Sequence, residues 1–177
     1  MSKTRLLRRR TWIPAAAGVL FMSALAACGS RGSTPAPSVH RAAVVVVHPD
    51  GTIRKACVRF AETEITGEEL LRRAGLQATV DATNPMGALV CSIDGQGCNF
   101  PSQPCFCSCA KLGACAYWAY FTQDTSGAWT YAPQGASARA VGDGDVDGWV
   151  WLQATGAAAP AQSPLPKIAL DQVCSSP

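Results

Sequence analysis

The chain has 177 residues, 48% apolar and 15% charged, with 9 cysteines, 16 glycines and 12 prolines. That length suits one globular domain with appendages and excludes a large multidomain enzyme, while the composition excludes a wholly disordered or supercharged chain. The net charge of +3 is unevenly placed: Lys3, Arg5, Arg8, Arg9 and Arg10 precede residue 28 with no acid among them, and removing these five of the fifteen bases leaves ten against twelve acids, a net of −2. A domain of that balance does not suit nucleic acid, whose phosphates call for a basic face.

Residues 1–12 are cationic, residues 13–24 apolar, and small residues follow, which is the layout of a secretory signal peptide. The apolar run is too short to span a bilayer. Leu25-Ala26-Ala27-Cys28-Gly29 then matches the lipobox of bacterial lipoproteins at every position. That resemblance implies diacylglycerol transfer to the Cys28 thiol, cleavage before Cys28 and acylation of the new amino group, which gives a firm membrane anchor. The alternative is an ordinary signal peptide with a coincidental cysteine. Arg9-Arg10-Thr11-Trp12-Ile13 has a loose likeness to a twin-arginine export signal. The expected organisation is a signal peptide over 1–27, a Gly/Ser/Pro tether over 28–41, a folded domain over 42–155, and a linker with a C-terminal tail over 156–177. The expected location is the outer face of the cytoplasmic membrane, or the outer membrane of a two-membrane cell.

Residues 43–48 are a β-branched run, Pro49-Asp50-Gly51 a turn, and Thr52 to Phe60 a second strand, so the spacing predicts a β-hairpin. A short helix follows, with Thr66 as N-cap, Glu69 as its capping-box partner, Ile65 and Leu70 as a hydrophobic staple, and Gly75 as the left-handed residue that ends it. Further strands are expected at 77–82, 88–93, 117–122, 129–132 and 146–152. One helix against a mixed sheet is an α+β arrangement, and the order points to a small disulfide-rich, β-grasp-like domain.

Setting Cys28 aside leaves Cys57, Cys91, Cys98, Cys105, Cys107, Cys109, Cys115 and Cys174. An even number in an exported domain reads as a disulfide framework, with about 105 possible pairings. Cys174 is expected to pin the tail, with Cys57 as a candidate partner. The competing reading is a metal cluster over 105–115, although the C-x-C-x-C spacing is unusual for a tetrahedral zinc site and better suited to Cu(I).

Aromatic residues concentrate between 117 and 151. Alternation puts Tyr117, Ala119 and Phe121 on one face of a strand and Trp118 and Tyr120 on the other. Tyr117, Trp118, Tyr120, Trp129 and Tyr131 are therefore candidates for a ligand-binding surface, with two-sided burial as the competing reading. Asp143-Gly144-Asp145-Val146-Asp147-Gly148 begins like a calcium loop but has Ala154 where a bidentate acid is needed, so it is read as a turn and no metal is assigned. His48 is expected at the surface of its strand. With His40 and His48 the only histidines, and neither a phosphate-binding glycine loop nor a nucleophile elbow, the expected function is not enzymatic and no cofactor is required.

The helix I-T-G-E-E-L-L-R-R-A-G-L, the strand Y-W-A-Y-F, the hairpin W-T-Y-A-P-Q-G-A-S, the strand D-G-D-V-D-G-W-V-W and the tail I-A-L-D-Q-V-C resemble, in order and spacing, the transcobalamin-like C-terminal domain family. The nearest likeness is to its cysteine-rich bacterial lipoproteins associated with energy-coupling-factor transporters. The resemblance implies a β-grasp domain, a corrinoid or another vitamin-class ligand, and a vitamin or metal transporter component as partner. The alternatives are a disulfide-stabilised protein-interaction module and a Cys-cluster metal binder.

Overall fold

The structure is a computed structural model and describes residues 38–107, 109, 114–155 and 163–175. The expected signal peptide, Cys28, most of the tether, and residues 156–162 of the linker lie outside the described residues.

The described part is a small disulfide-rich α+β domain, mostly strand with two short helices. Strands β1 (His40–Val47) and β2 (Ile53–Phe60) form the expected hairpin, in register from His40↔Phe60 to Val47↔Ile53. The turn closes where Gly51 takes φ +83°, its N–H donates to the His48 carbonyl at 2.9 Å, and the Asp50 carboxylate accepts from Thr52 N–H. The hairpin starts three residues before the expected Ala43, because His40, Arg41 and Ala42 also pair with β2.

Strand β3 (Ile65–Thr66) leads into helix α1 (Gly67–Arg73). Thr66 Oγ1 accepts from Glu69 N–H at 3.1 Å, the cap the sequence predicts. The reciprocal half of the capping box is replaced: the Glu69 carboxylate binds Arg72 and Arg73, which hold it down to about pKa 2. At the far end Gly75 takes φ +72°, its N–H donates to Arg72 O, and Leu76 N–H reaches back to Leu71 O, a Schellman closure.

Strands β4 (Ala78–Asp81), β5 (Leu89–Ile93) and β6 (Gln96–Gly97) form a separate three-stranded sheet. The chain continues through β7 (Ala114–Gln123), β8 (Trp129–Tyr131), β9 (Ala140–Val141), β10 (Val146–Thr155) and α2 (Leu170–Val173). The main sheet runs β2-β1-β10-β7-β8, with β1 parallel to β10 and its other neighbours antiparallel. A parallel strand at the centre of a sheet is buried on both faces, so Ala42 through Val46 are fully buried as a continuous apolar run.

One face carries Val44, Val46, Trp118, Tyr120 and Trp149 and is covered by Leu70 and Leu71 of α1. The other carries Ala43, Val45, Ala119, Phe121 and Val150 and is covered by the tail through Leu165, Ile168 and Cys174. The tail approaches so closely that a Cβ on Gly148 would lie 2.4 Å from Leu165 Cδ1. Fully burying a side chain such as Trp149 or Phe121 contributes on the order of 2–3 kcal/mol. The two-sided distribution of aromatics expected from the sequence is thus two-sided burial for most of them.

Candidate functional site

The eight cysteines among the described residues are paired. Cys57–Cys174 ties the tail to β2, and Cys91–Cys105, Cys98–Cys107 and Cys109–Cys115 staple the segment between β5 and β7. In this state their sulfurs are bonded to one another and cannot serve as thiolate ligands. Among the described residues no group of three or more His, Cys, Asp or Glu could hold a metal ion.

The acidic stretch 143–148 is a turn at its start that runs into β10 from Val146, and its carboxylates diverge. Asp143 accepts from Arg41 N–H at 2.7 Å, and Asp145 accepts from Arg139 and from Gly142 N–H. Asp147 turns into the core, where Tyr120 Oη donates to its Oδ2 at 2.5 Å. The guanidinium of Arg139 stands 3.6 Å from Asp147 Oδ1, which has no hydrogen-bond partner. Burial pushes the Asp147 carboxyl up to about 6, against the opposing pull of Tyr120 and Arg139.

His48 corrects an expectation. It is not a surface residue but 5% exposed, because it follows an interior strand of the sheet and lies against Asp94, between β5 and β6, and edge-to-face with Trp118 at 5.6 Å between centroids. Both ring nitrogens lack hydrogen bonds, and Nε2 is 3.7 Å from the Asp94 carboxylate, which also binds Arg54.

The five aromatic candidates separate. Trp118 and Tyr120 are buried in the main core: the Trp118 indole donates to Gln96 O at 2.9 Å, and Tyr120 stacks on Trp149 at 4.2 Å. Trp129 belongs to the opposite face, where its indole donates to Pro166 O at 3.0 Å. Tyr117 and Tyr131 remain accessible. Four of the five, Trp129 excepted, line one cleft of about 210 Å³.

The cleft exists because β8 is short. β8 pairs with β7 only from Phe121 to Gln123, so the edge of β7 beyond Tyr120 is left to the 84–90 and 132–136 segments. Gly135 lets these two segments touch; a Cβ there would lie 2.4 Å from the Gly87 carbonyl. The Tyr120–Trp149 stack forms the inner wall, and Phe106 and Tyr117, with ring centroids 5.5 Å apart, form an outer one. Burial and the neighbouring Tyr117 push the Tyr131 phenol above its ordinary pKa, so it is neutral at physiological pH. Met86, Phe106 and Tyr131, at 60%, 44% and 36% exposure, stand at the mouth. Asn84 and Gln134 add carboxamides, and among the described residues none that lines the cleft is charged.

Sequence reasoning missed Met86 and Phe106, which carry no periodic signal in their loops. It also missed the buried role of Asp147, although alternation along D-V-D-G-W-V-W places Asp147 on the face of Trp149.

A family model described as the SCO2322-like domain matches residues 110–177, which include β7 through β10 and the tail. No curated protein matches the chain. Among solved structures it is similar to the crystal structure of a "putative metal binding protein" from Ruminococcus gnavus, with a TM-score of 0.43 and 17% identity over 66% of this chain and 98% of that one.

Proposed function

We propose that the mature chain is held by lipid on Cys28 at the outer face of the membrane and acts there as a non-catalytic binding module, taking a small ligand of the vitamin or cofactor class in the β7 cleft. The observation that carries this reading is the convergence at one cleft of Met86, Phe106 and Tyr131, three of the five large hydrophobic side chains exposed among the described residues. Scattered exposed hydrophobics are ordinary, but a cluster around a concavity marks an interaction site.

The anchor rests on the lipobox, and delivery to a transporter component rests on the family resemblance. The order β2-β1-β10-β7-β8, with a first hairpin beside a parallel last strand and a helix after the hairpin, supports a β-grasp reading. At about 210 Å³ the cleft admits one edge of a corrinoid and not the whole macrocycle. A second reading, docking of a partner protein, draws on the same exposed patch.

Two measurements test the proposal. Cell fractionation is expected to find the wild-type chain in membranes and Cys28→Ala in the soluble fraction; a Cys28→Ala chain that stays in membranes overturns the anchor. Native mass spectrometry of the full chain, purified in detergent from its own cells, is expected to show a non-covalent small-molecule mass that Tyr131→Ala loses. A mass that Tyr131→Ala retains, or its absence from both proteins, overturns ligand binding at the cleft.

A further inference from the structure

The walls of the cleft also specify the kind of group that enters it, if the binding reading above holds. At about 210 Å³ the cleft is smaller than the roughly 300–1,000 Å³ that encloses a drug-sized molecule, so it receives a ring-sized fragment. Among the described residues its lining contains no Asp, Glu, Lys, Arg or His, so an ion entering it loses water without gaining a counter-charge from them. Two of its phenols, Tyr120 and Tyr131, are neutral groups as well, because burial raises the pKa of both.

Aromatic rings dominate the lining: Tyr120 and Trp149 stack on one another at its buried end, and Phe106, Tyr117 and Tyr131 bring three more rings to its accessible part. A planar guest meets such walls in offset or edge-to-face contact, which an aliphatic group of equal volume does not. Met86 adds a polarizable thioether at the mouth, a favoured neighbour of ring edges. Asn84 uses its side-chain carbonyl on Met86 N–H at 2.8 Å, and with Gln134 it supplies carboxamides for a ring nitrogen or carbonyl without supplying charge.

We propose that the β7 cleft is a receptor for an uncharged, planar group of one or two fused rings carried by a small-molecule ligand.

The test is ligand-observed fluorine NMR on the full chain in detergent, with 5-fluoroindole as the neutral planar probe. 4-Fluorobenzoate and 4-fluorobenzylammonium serve as charged rings, and a fluorinated cyclohexanol as a non-planar neutral probe. 5-Fluoroindole is expected to bind saturably, at least tenfold tighter than the other three. Tyr131→Ala and Met86→Ala, both at exposed positions, are each expected to weaken it at least fivefold while the unfolding midpoint stays unchanged. Equal binding of a charged ring overturns the exclusion of charge, equal binding of the cyclohexanol overturns planarity, and indifference to both substitutions overturns the site. Failure of every probe, with a protein partner bound through Tyr131 instead, overturns the proposal in favour of a protein interface. The anchored-module reading fails separately, in the fractionation experiment, and leaves the fluoroindole result standing.

Discussion

The Tyr120 phenol donates to Asp147 Oδ2 at 2.5 Å inside the core, between neighbouring strands of the main sheet. Tyr120 at the same time stacks on Trp149, its register partner on β10. Asp147 is fully buried, and its second oxygen has no hydrogen bond. The acid is thus retained at an energetic cost, with Arg139 as its nearest compensating charge.

That cost has a sign in pH. The folded protein holds a proton on Asp147 with a pKa of about 6, above the ordinary 3.8, so this group favours the folded state fully below pH 3.8 and the advantage is lost as pH rises through 6. Asp147→Asn removes the titration and keeps an oxygen for Tyr120. The difference in unfolding free energy between wild type and variant, read from denaturant titrations, is expected to move in the variant's favour by on the order of 3 kcal/mol between pH 3.8 and pH 7. A difference that does not change with pH refutes this account of Asp147.

Gly67 begins α1 against the same phenol. A Cβ there would lie 2.4 Å from Tyr120 Oη and 3.1 Å from the Ala136 carbonyl, so Gly67→Ala displaces the hydroxyl from its place beside Asp147. We expect a loss of about 1–3 kcal/mol in chemical denaturation, smaller when combined with Asp147→Asn, because the two changes act on one contact.

The tail is held by Cys57–Cys174, which closes a loop of 117 residues. Replacing both cysteines by serine is expected to cost about 3–5 kcal/mol under non-reducing conditions. It is also expected to make the segment bearing Leu165 and Ile168 the first site cut in limited proteolysis. Wild-type protection in the double variant would show that apolar contact alone holds the tail.

Thr66→Ala removes the acceptor of Glu69 N–H. A loss of about 1 kcal/mol is expected from equilibrium unfolding. Serine at the same position is expected to restore most of it, because a hydroxyl is again available to that N–H.

What was legible in the sequence was local. Thr66, Gly75 and the Pro49-Asp50-Gly51 turn carry their conformations in residues three or four apart, and each is present as expected. Alternation along Y-W-A-Y-F separated the side chains of β7 into the two faces that the structure buries. His48 was misplaced because its burial depends on what covers the end of β1. That cover comes from Asp94 and Trp118, which lie far along the chain.

The sequence by itself determined a disulfide-rich α+β domain, the caps of its helix and the alternation of its strands, because these depend on residue type and short-range spacing. The tertiary structure decided the pairing of the cysteines, the parallel seam of Val44 with Asp147 and Val46 with Trp149, and the passage of the tail over the second face. It alone brought Met86, Phe106 and Tyr131 from three separate segments to one aromatic-lined cleft. Such long-range contacts form only when many distant apolar surfaces are buried together, and no short window of sequence contains the partners that decide them.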